Sequence, residues 1–138
     1  MNGGMELYLH MPFCVRKCAY CDFLSFPSGA ETQRMYAKRL MEDIDVMGKR
    51  YGEIPVETIF IGGGTPSVPD SGLIVEIMEH VRHAFHVADG AEISMEANPG
   101  TVTREKLTDY RKAGINRLSF GLQSANDREL KLLGRIHT

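Results

Sequence analysis

The chain has 138 residues, 43% hydrophobic and 25% charged, with a formal net charge of −2. This is the composition of an ordinary soluble globular protein, and it lacks the basic excess of a nucleic-acid binder. No apolar run approaches the ~20 residues of a membrane span, and the opening MNGGMELYLH has neither the basic nor the apolar region of a signal peptide.

Along the chain, strand-like and helix-like patterns alternate. ELYLH at 6–10 reads as a short strand and leads into a loop at 11–27. Ser28-Gly29-Ala30-Glu31 has the S-x-x-E form of a capping box. The helix it predicts carries Tyr36, Leu40, Ile44 and Met47 on one face and ends near Gly48. VETIFIGGG is a strand running into glycines, followed by Thr65 and Pro66. Residues 70–86 predict a second helix with Leu73, Ile74, Ile77, Met78, Val81 and Phe85 on one stripe. AEISMEA at 91–97 is a third strand, broken by Asn98-Pro99-Gly100. Thr103 caps a third helix that ends at Gly114, INRLSFGLQ at 115–123 is a fourth strand, and Asn126 caps a fourth helix.

Strands alternating with helices of this length imply about four βα units on a parallel sheet, an α/β fold. They are too few to close an eight-stranded barrel, which takes about 250 residues, and an open doubly wound sheet is a second arrangement. In either, function belongs at the C-terminal ends of the strands. The cysteine loop, the glycine run, Glu96 and Gln123 all fall there, which predicts one shared site. Glu96 shares its strand face with Ser94, and Ser119, Gly121 and Gln123 share theirs, so both faces suggest a lined cavity. His80, His83 and His86 project away from the apolar stripe and read as a solvated face.

All three cysteines lie in CVRKCAYC, at Cys14, Cys18 and Cys21, spaced C-x3-C-x2-C. An odd count at such close spacing argues against disulfides and for a reducing, cytoplasmic setting in which the cluster means metal or redox chemistry. Zinc would need a fourth ligand, His10, to make a Cys3His site. A four-iron cluster would take the three thiolates and leave one iron open to a small chelating ligand. Spacing alone leaves the two equal.

LYLHMPFCVRKCAYCDF resembles the cluster-binding segment of radical S-adenosylmethionine (SAM) proteins. IFIGGGTPS, EANPGTVT, GINRLSFGLQS and LKLLGRIHT extend the resemblance, within the coproporphyrinogen III oxidase-like (HemN/HemW) group, to its haem chaperone branch. The resemblance implies a [4Fe–4S] cluster on Cys14, Cys18 and Cys21, with SAM on the open iron and His10 outside the ligand set. It implies SAM contacts from Tyr8, Tyr20, Gly63, Gly64, Thr65, Glu96, Gln123 and Arg135. It also implies that the cluster donates an electron that breaks a carbon–sulfur bond of SAM, in proteins of porphyrin and haem metabolism. The implied fold is the N-terminal part of a partial (β/α)6 barrel, so residues 1–138 are expected to be an incomplete radical SAM domain. The rest of the barrel, a C-terminal domain and the haem-binding residues are expected beyond Thr138. The implied function is delivery of haem to an acceptor protein. The competing one is oxidative decarboxylation of coproporphyrinogen III, whose branch carries a further cysteine where this chain has Phe23.

Overall fold

The structure is a computed structural model that describes residues 4–13 and 29–120. Four strands, β1 (Met5–Met11), β2 (Val56–Gly63), β3 (Val87–Ala97) and β4 (Arg117–Phe120), alternate with helices α1 (Ala30–Tyr51), α2 (Ser71–Ala84) and α3 (Arg104–Ala113). A 3₁₀ turn, Pro99–Thr101, follows β3. The strands pair in parallel in the order β1-β2-β3-β4. That sequential order is the winding of a barrel, and it removes the doubly wound alternative, in which the order reverses at a switch point. The expected α/β architecture of parallel βα units is present.

Register explains why one face of the sheet is covered and the other open. Leu9, Ile61 and Met95 lie in one row, as do Leu7, Ile59 and Ile93. Except for half-buried Leu7, these residues are buried in a core with Leu73, Ile74, Ile77, Met78 and Val81 of α2. The i, i+3, i+4 spacing of the α2 residues lays one continuous stripe on the sheet. α2 packs between α1 and α3. Neighbouring positions in the same strands, Tyr8, Phe60 and Glu92, point the other way and are exposed. Successive strand side chains alternate in direction, so the helices collect on one face.

Local signals differ in how they are used. Thr103 Oγ1 accepts from the Lys106 amide at 3.1 Å, and Gly114 closes α3 in the left-handed conformation (φ 101°), both as the sequence predicts. α1 departs from expectation at both ends. Its N-cap is Gly29, with no side-chain cap, so the helix starts one residue later than a box built on Ser28 requires; Ser28 itself lies outside the described residues. It runs to Tyr51, past Gly48, and its buried residues are Gln33, Ala37 and Ile44, with Tyr36 and Leu40 half-buried and Met47 exposed. β3 begins four residues before the predicted Ala91, because Val87 already pairs with Val56 ahead of an irregularity in register. Asn116 then pins β3 to the α3–β4 turn. Its Oδ1 accepts from the Ile93 amide at 2.9 Å, and its Nδ2 donates to the Ala91 carbonyl at 2.9 Å. The predicted fourth helix lies outside the described residues.

Candidate functional site

The C-terminal ends of β1, β2 and β3 converge as the strand register requires. His10 pairs with Gly62 and Met11 with Gly63, while Ile61 pairs with Met95, one residue before Glu96. The Gly63 amide donates to Glu96 Oε1 at 3.0 Å. Gly63 has φ +118°, a backbone region that L side chains rarely adopt, and a Cβ there would stand 2.7 Å from the His10 ring. A Cβ on Gly62 would stand 2.6 Å from Glu96 Oε1 and displace the carboxylate. The glycine run is therefore more than a tight turn. It gives Glu96 room to reach the backbone of β2, and this junction of the glycine run with Glu96 and His10 is the candidate cradle.

The root of the cysteine segment is tied to the same place. The Gly64 amide donates to the Met11 carbonyl at 2.9 Å and the Thr65 amide to the Phe13 carbonyl at 2.5 Å. Phe13 is fully buried and meets Tyr36 edge-on, ring centroids 5.2 Å apart. The Tyr36 hydroxyl donates to the His10 carbonyl at 2.5 Å. Burial, then the neighbouring Tyr8 and Asp43, raises the Tyr36 pKa, which keeps that donor protonated. Cys14 is the next residue after Phe13; Cys14, Cys18, Cys21 and Tyr20 lie outside the described residues, as do Gln123 and Arg135.

Tyr8 sits below the cradle on the open face. It stacks on Phe60 (5.9 Å between centroids, 14° between planes), and its hydroxyl is 3.2 Å from His10 Nδ1. Burial, and behind it the Glu96 charge, raises the Tyr8 pKa. Tyr8 and Phe60 form one side of a cleft of about 480 Å³ whose other side includes Glu92, Ser94, Arg117 and Ser119. Arg117 and Glu92 are paired there at 3.1 Å. Of the eight non-cysteine residues expected at the site, Tyr8, Gly63, Gly64, Thr65 and Glu96 are described, and all five lie on β1, on β2 and its following turn, or on β3 around this region. Of the histidines expected on a solvated face, His80 is half-exposed with its Nδ1 3.2 Å from Asp45 Oδ1, and His83 and His86 are exposed.

Sequence reasoning missed a second layer beneath the cradle. Lys106 Nζ donates to the carbonyls of Ser67 (2.6 Å), Thr101 (3.0 Å) and Val68 (3.5 Å). Burial lowers the Lys106 pKa, and Asp70 works against that shift. Ser67 Oγ, fully buried, accepts from the Asn98 amide at 3.1 Å and bonds Thr101 Oγ1. The signals available, an N-cap Thr103 and a lysine at the third helical position, mark a helix start and say nothing of a loop almost 40 positions away.

The radical SAM superfamily profile matches residues 8–138. Heme chaperone HemW of Escherichia coli (strain K12) is 45% identical over 134 residues, covering 96% of this chain and 35% of that protein. HemW of Haemophilus influenzae is 40% identical over 138 residues, covering 96% and 36%. A mitochondrial radical S-adenosyl methionine domain-containing protein 1 from Bos taurus is 36% identical over 132 residues, covering 96% and 30%. Among solved structures, coproporphyrinogen III oxidase (HemN) from Escherichia coli, a radical SAM enzyme, superposes with a TM-score of 0.88 at 28% identity, over 98% of this chain and 31% of that one. The chain thus spans about a third of the length of these curated relatives. With a profile match over nearly its whole length and the sheet of a radical SAM barrel, this chain belongs to the radical SAM superfamily.

Proposed function

We propose that this chain is the cluster- and SAM-binding portion of a haem chaperone, a cytoplasmic protein that passes haem to an acceptor protein. The observation that carries the reading is the tie between the glycine cradle and the root of the cysteine segment, through Gly64 on Met11 and Thr65 on Phe13. It brings the Glu96 carboxylate and the main chain of the glycine run next to the start of the cysteine segment. That donor set suits SAM, a cation with an amino acid end. Glu96 offers a carboxylate to a cationic ligand, and a Cβ at Gly62 would fill the space Glu96 needs. In this reading Cys14, Cys18 and Cys21 hold a [4Fe–4S] cluster, and Tyr8, Tyr20, Gly63, Gly64, Thr65, Glu96, Gln123 and Arg135 contact SAM. Once bound, the pair supplies reductive carbon–sulfur cleavage. The protein's own work is to orient the ligands and keep water out. The names of the HemW relatives support the haem chaperone assignment.

A second reading, oxidative decarboxylation of coproporphyrinogen III, draws on the structural likeness to HemN. Phe23 speaks against it, because a phenyl ring can pack but cannot donate a proton, bind metal or carry an electron.

Anaerobic reconstitution tests the metal. About four irons and four sulfides per chain are expected, lost on changing any of the three cysteines to Ala and retained in His10→Ala. One tightly held zinc that disappears with His10 overturns the cluster. In a full-length protein carrying this segment, haem binding without conversion of coproporphyrinogen III to protoporphyrinogen is expected. Product formation in proportion to protein concentration would restore the oxidase reading.

A further inference from the structure

The cradle is carried by two irregular segments, residues 64–70 after β2 and 98–103 after β3. Gly63 ends β2 and Glu96 lies one residue before the end of β3, so their contact sits where the two strands run into these loops, and the spacing of the loops bears on it directly. Lys106 and Ser67 supply that spacing. An ammonium has three N–H donors, and Lys106 directs its own at three carbonyls, two on the first loop and one on the 3₁₀ turn of the second. Ser67 adds the reverse connection, from the first loop to the Asn98 amide and the Thr101 hydroxyl. The second loop is braced internally, with Asn98 Oδ1 accepting from the Gly100 amide at 2.9 Å and the Asn98 carbonyl from the Thr101 hydroxyl at 2.9 Å. The two loops are thus tied to each other and to α3.

The anchor is separable from the docking of α3. That helix is held by buried Tyr110 and Ala113 and by Ser71 Oγ donating to Asp109 Oδ2 at 2.6 Å. Its start is capped through the Lys106 main chain, which any residue at 106 except proline preserves. The Lys106 side chain is therefore free to serve the loops.

We propose that Lys106 is a positioning residue for the strand-end pocket. It touches no ligand, but by clamping the loop after β2 to the loop after β3 it holds the Gly63 amide and the Glu96 carboxylate at binding distance. The ligand assignment rests on the SAM reading above; the clamp itself does not.

Two measurements on the full chain separate them. The first is site-resolved amide hydrogen exchange, which needs no cofactor. Lys106→Met should speed exchange about tenfold or more at residues 62–68 and 98–101, leaving Ile59, Ile61 and the interior of α3 unchanged. The second is equilibrium dialysis of SAM against anaerobically reconstituted protein. Lys106→Met should bind about tenfold more weakly at unchanged iron content. Lys106→Arg, which keeps its donors, should recover to within about threefold of wild type. Should Lys106→Met fail to fold, Ser67→Ala carries the same test, with both loops again expected to exchange faster. Unchanged exchange in both loops overturns the clamp. Faster exchange with unaltered SAM affinity, or Lys106→Arg as impaired as Lys106→Met, overturns the positioning role. Wild-type protein with a full cluster and no affinity for SAM overturns the functional reading instead, and the exchange result then decides the clamp alone.

Discussion

The two faces of this sheet are made by the same strands and share almost no chemistry. On the helix side, Leu9, Ile59, Ile61, Ile93 and Met95 are buried against α2 and its neighbours. On the open side, one residue along in each strand, stand Tyr8, Phe60, Glu92 and Glu96. Parallel strands are usually apolar on both faces, so a polar second face signals that something other than a packed core will fill it. In the proposed reading, stability and binding are thereby divided between residues that are neighbours in sequence. The division predicts very different outcomes for adjacent edits. Ile59→Ala should lower unfolding free energy by about 2–5 kcal/mol, the usual loss for a buried branched residue. Tyr8→Ala, at a residue 57% exposed, should cost about 1 kcal/mol or less. Urea titrations of the two variants measure the contrast, and equal losses would show that the open face is also core.

The next effect is on binding. Glu96→Ala should weaken SAM by about 1.5–3 kcal/mol, tenfold or more, with little change in the urea midpoint and none in iron content. Arg135→Ala, whose guanidinium suits a carboxylate, should do the same in a full-length context. Dialysis against labelled SAM reads both. A wild-type affinity in Glu96→Ala would reduce that residue to a brace for the Gly63 amide. Gly63→Ala should cost about 1–2 kcal/mol of stability from its left-handed backbone alone, a loss on the open face that would not come from any buried side chain.

The helix-covered face was the more legible one. Its period of 3.6 in α2, the Thr103 cap and the Gly114 terminator are local patterns, and each is found where the spacing puts it. The placement of the cradle was legible too, since parallel βα units direct strand ends to one side. What local patterns misjudged is also physical. Ser28 and Glu31 have the spacing of a capping box, yet α1 starts from Gly29, whose carbonyl accepts from the Gln33 amide at 3.1 Å. Met47 matches the helical stripe but is exposed, because the packed face of α1 runs through Gln33, Ala37, Ile44 and Gly48, which abuts Ala84. The Lys106 and Asn116 networks join segments more than 20 residues apart. A lysine on a helix and an asparagine before a strand carry no mark of partners so distant.

The smallest predicted effect tests an exception on the covered face. Tyr110 is buried, and among the described residues its hydroxyl finds no hydrogen-bond partner. Burial first, and then the Asp109 and Asp70 charges, raises its pKa far above the ordinary value of 10.0. The folded protein therefore keeps this proton where the unfolded chain gives it up. Above pH 10 the unfolded state binds fewer protons, so stability falls as pH rises; below pH 10 both states are protonated and the contribution is fully present. Tyr8 and Tyr36, also raised, act in the same direction. Tyr110→Phe should make the alkaline decline shallower without abolishing it. At pH 7 it should be neutral or slightly stabilising, because an apolar ring in the same space has no donor left unsatisfied. Urea midpoints at pH 7 and about pH 11 decide it. An unchanged alkaline slope, or a loss of about 1 kcal/mol or more at pH 7, would mean that the hydroxyl is hydrogen-bonded in solution and that the covered face includes a polar contact.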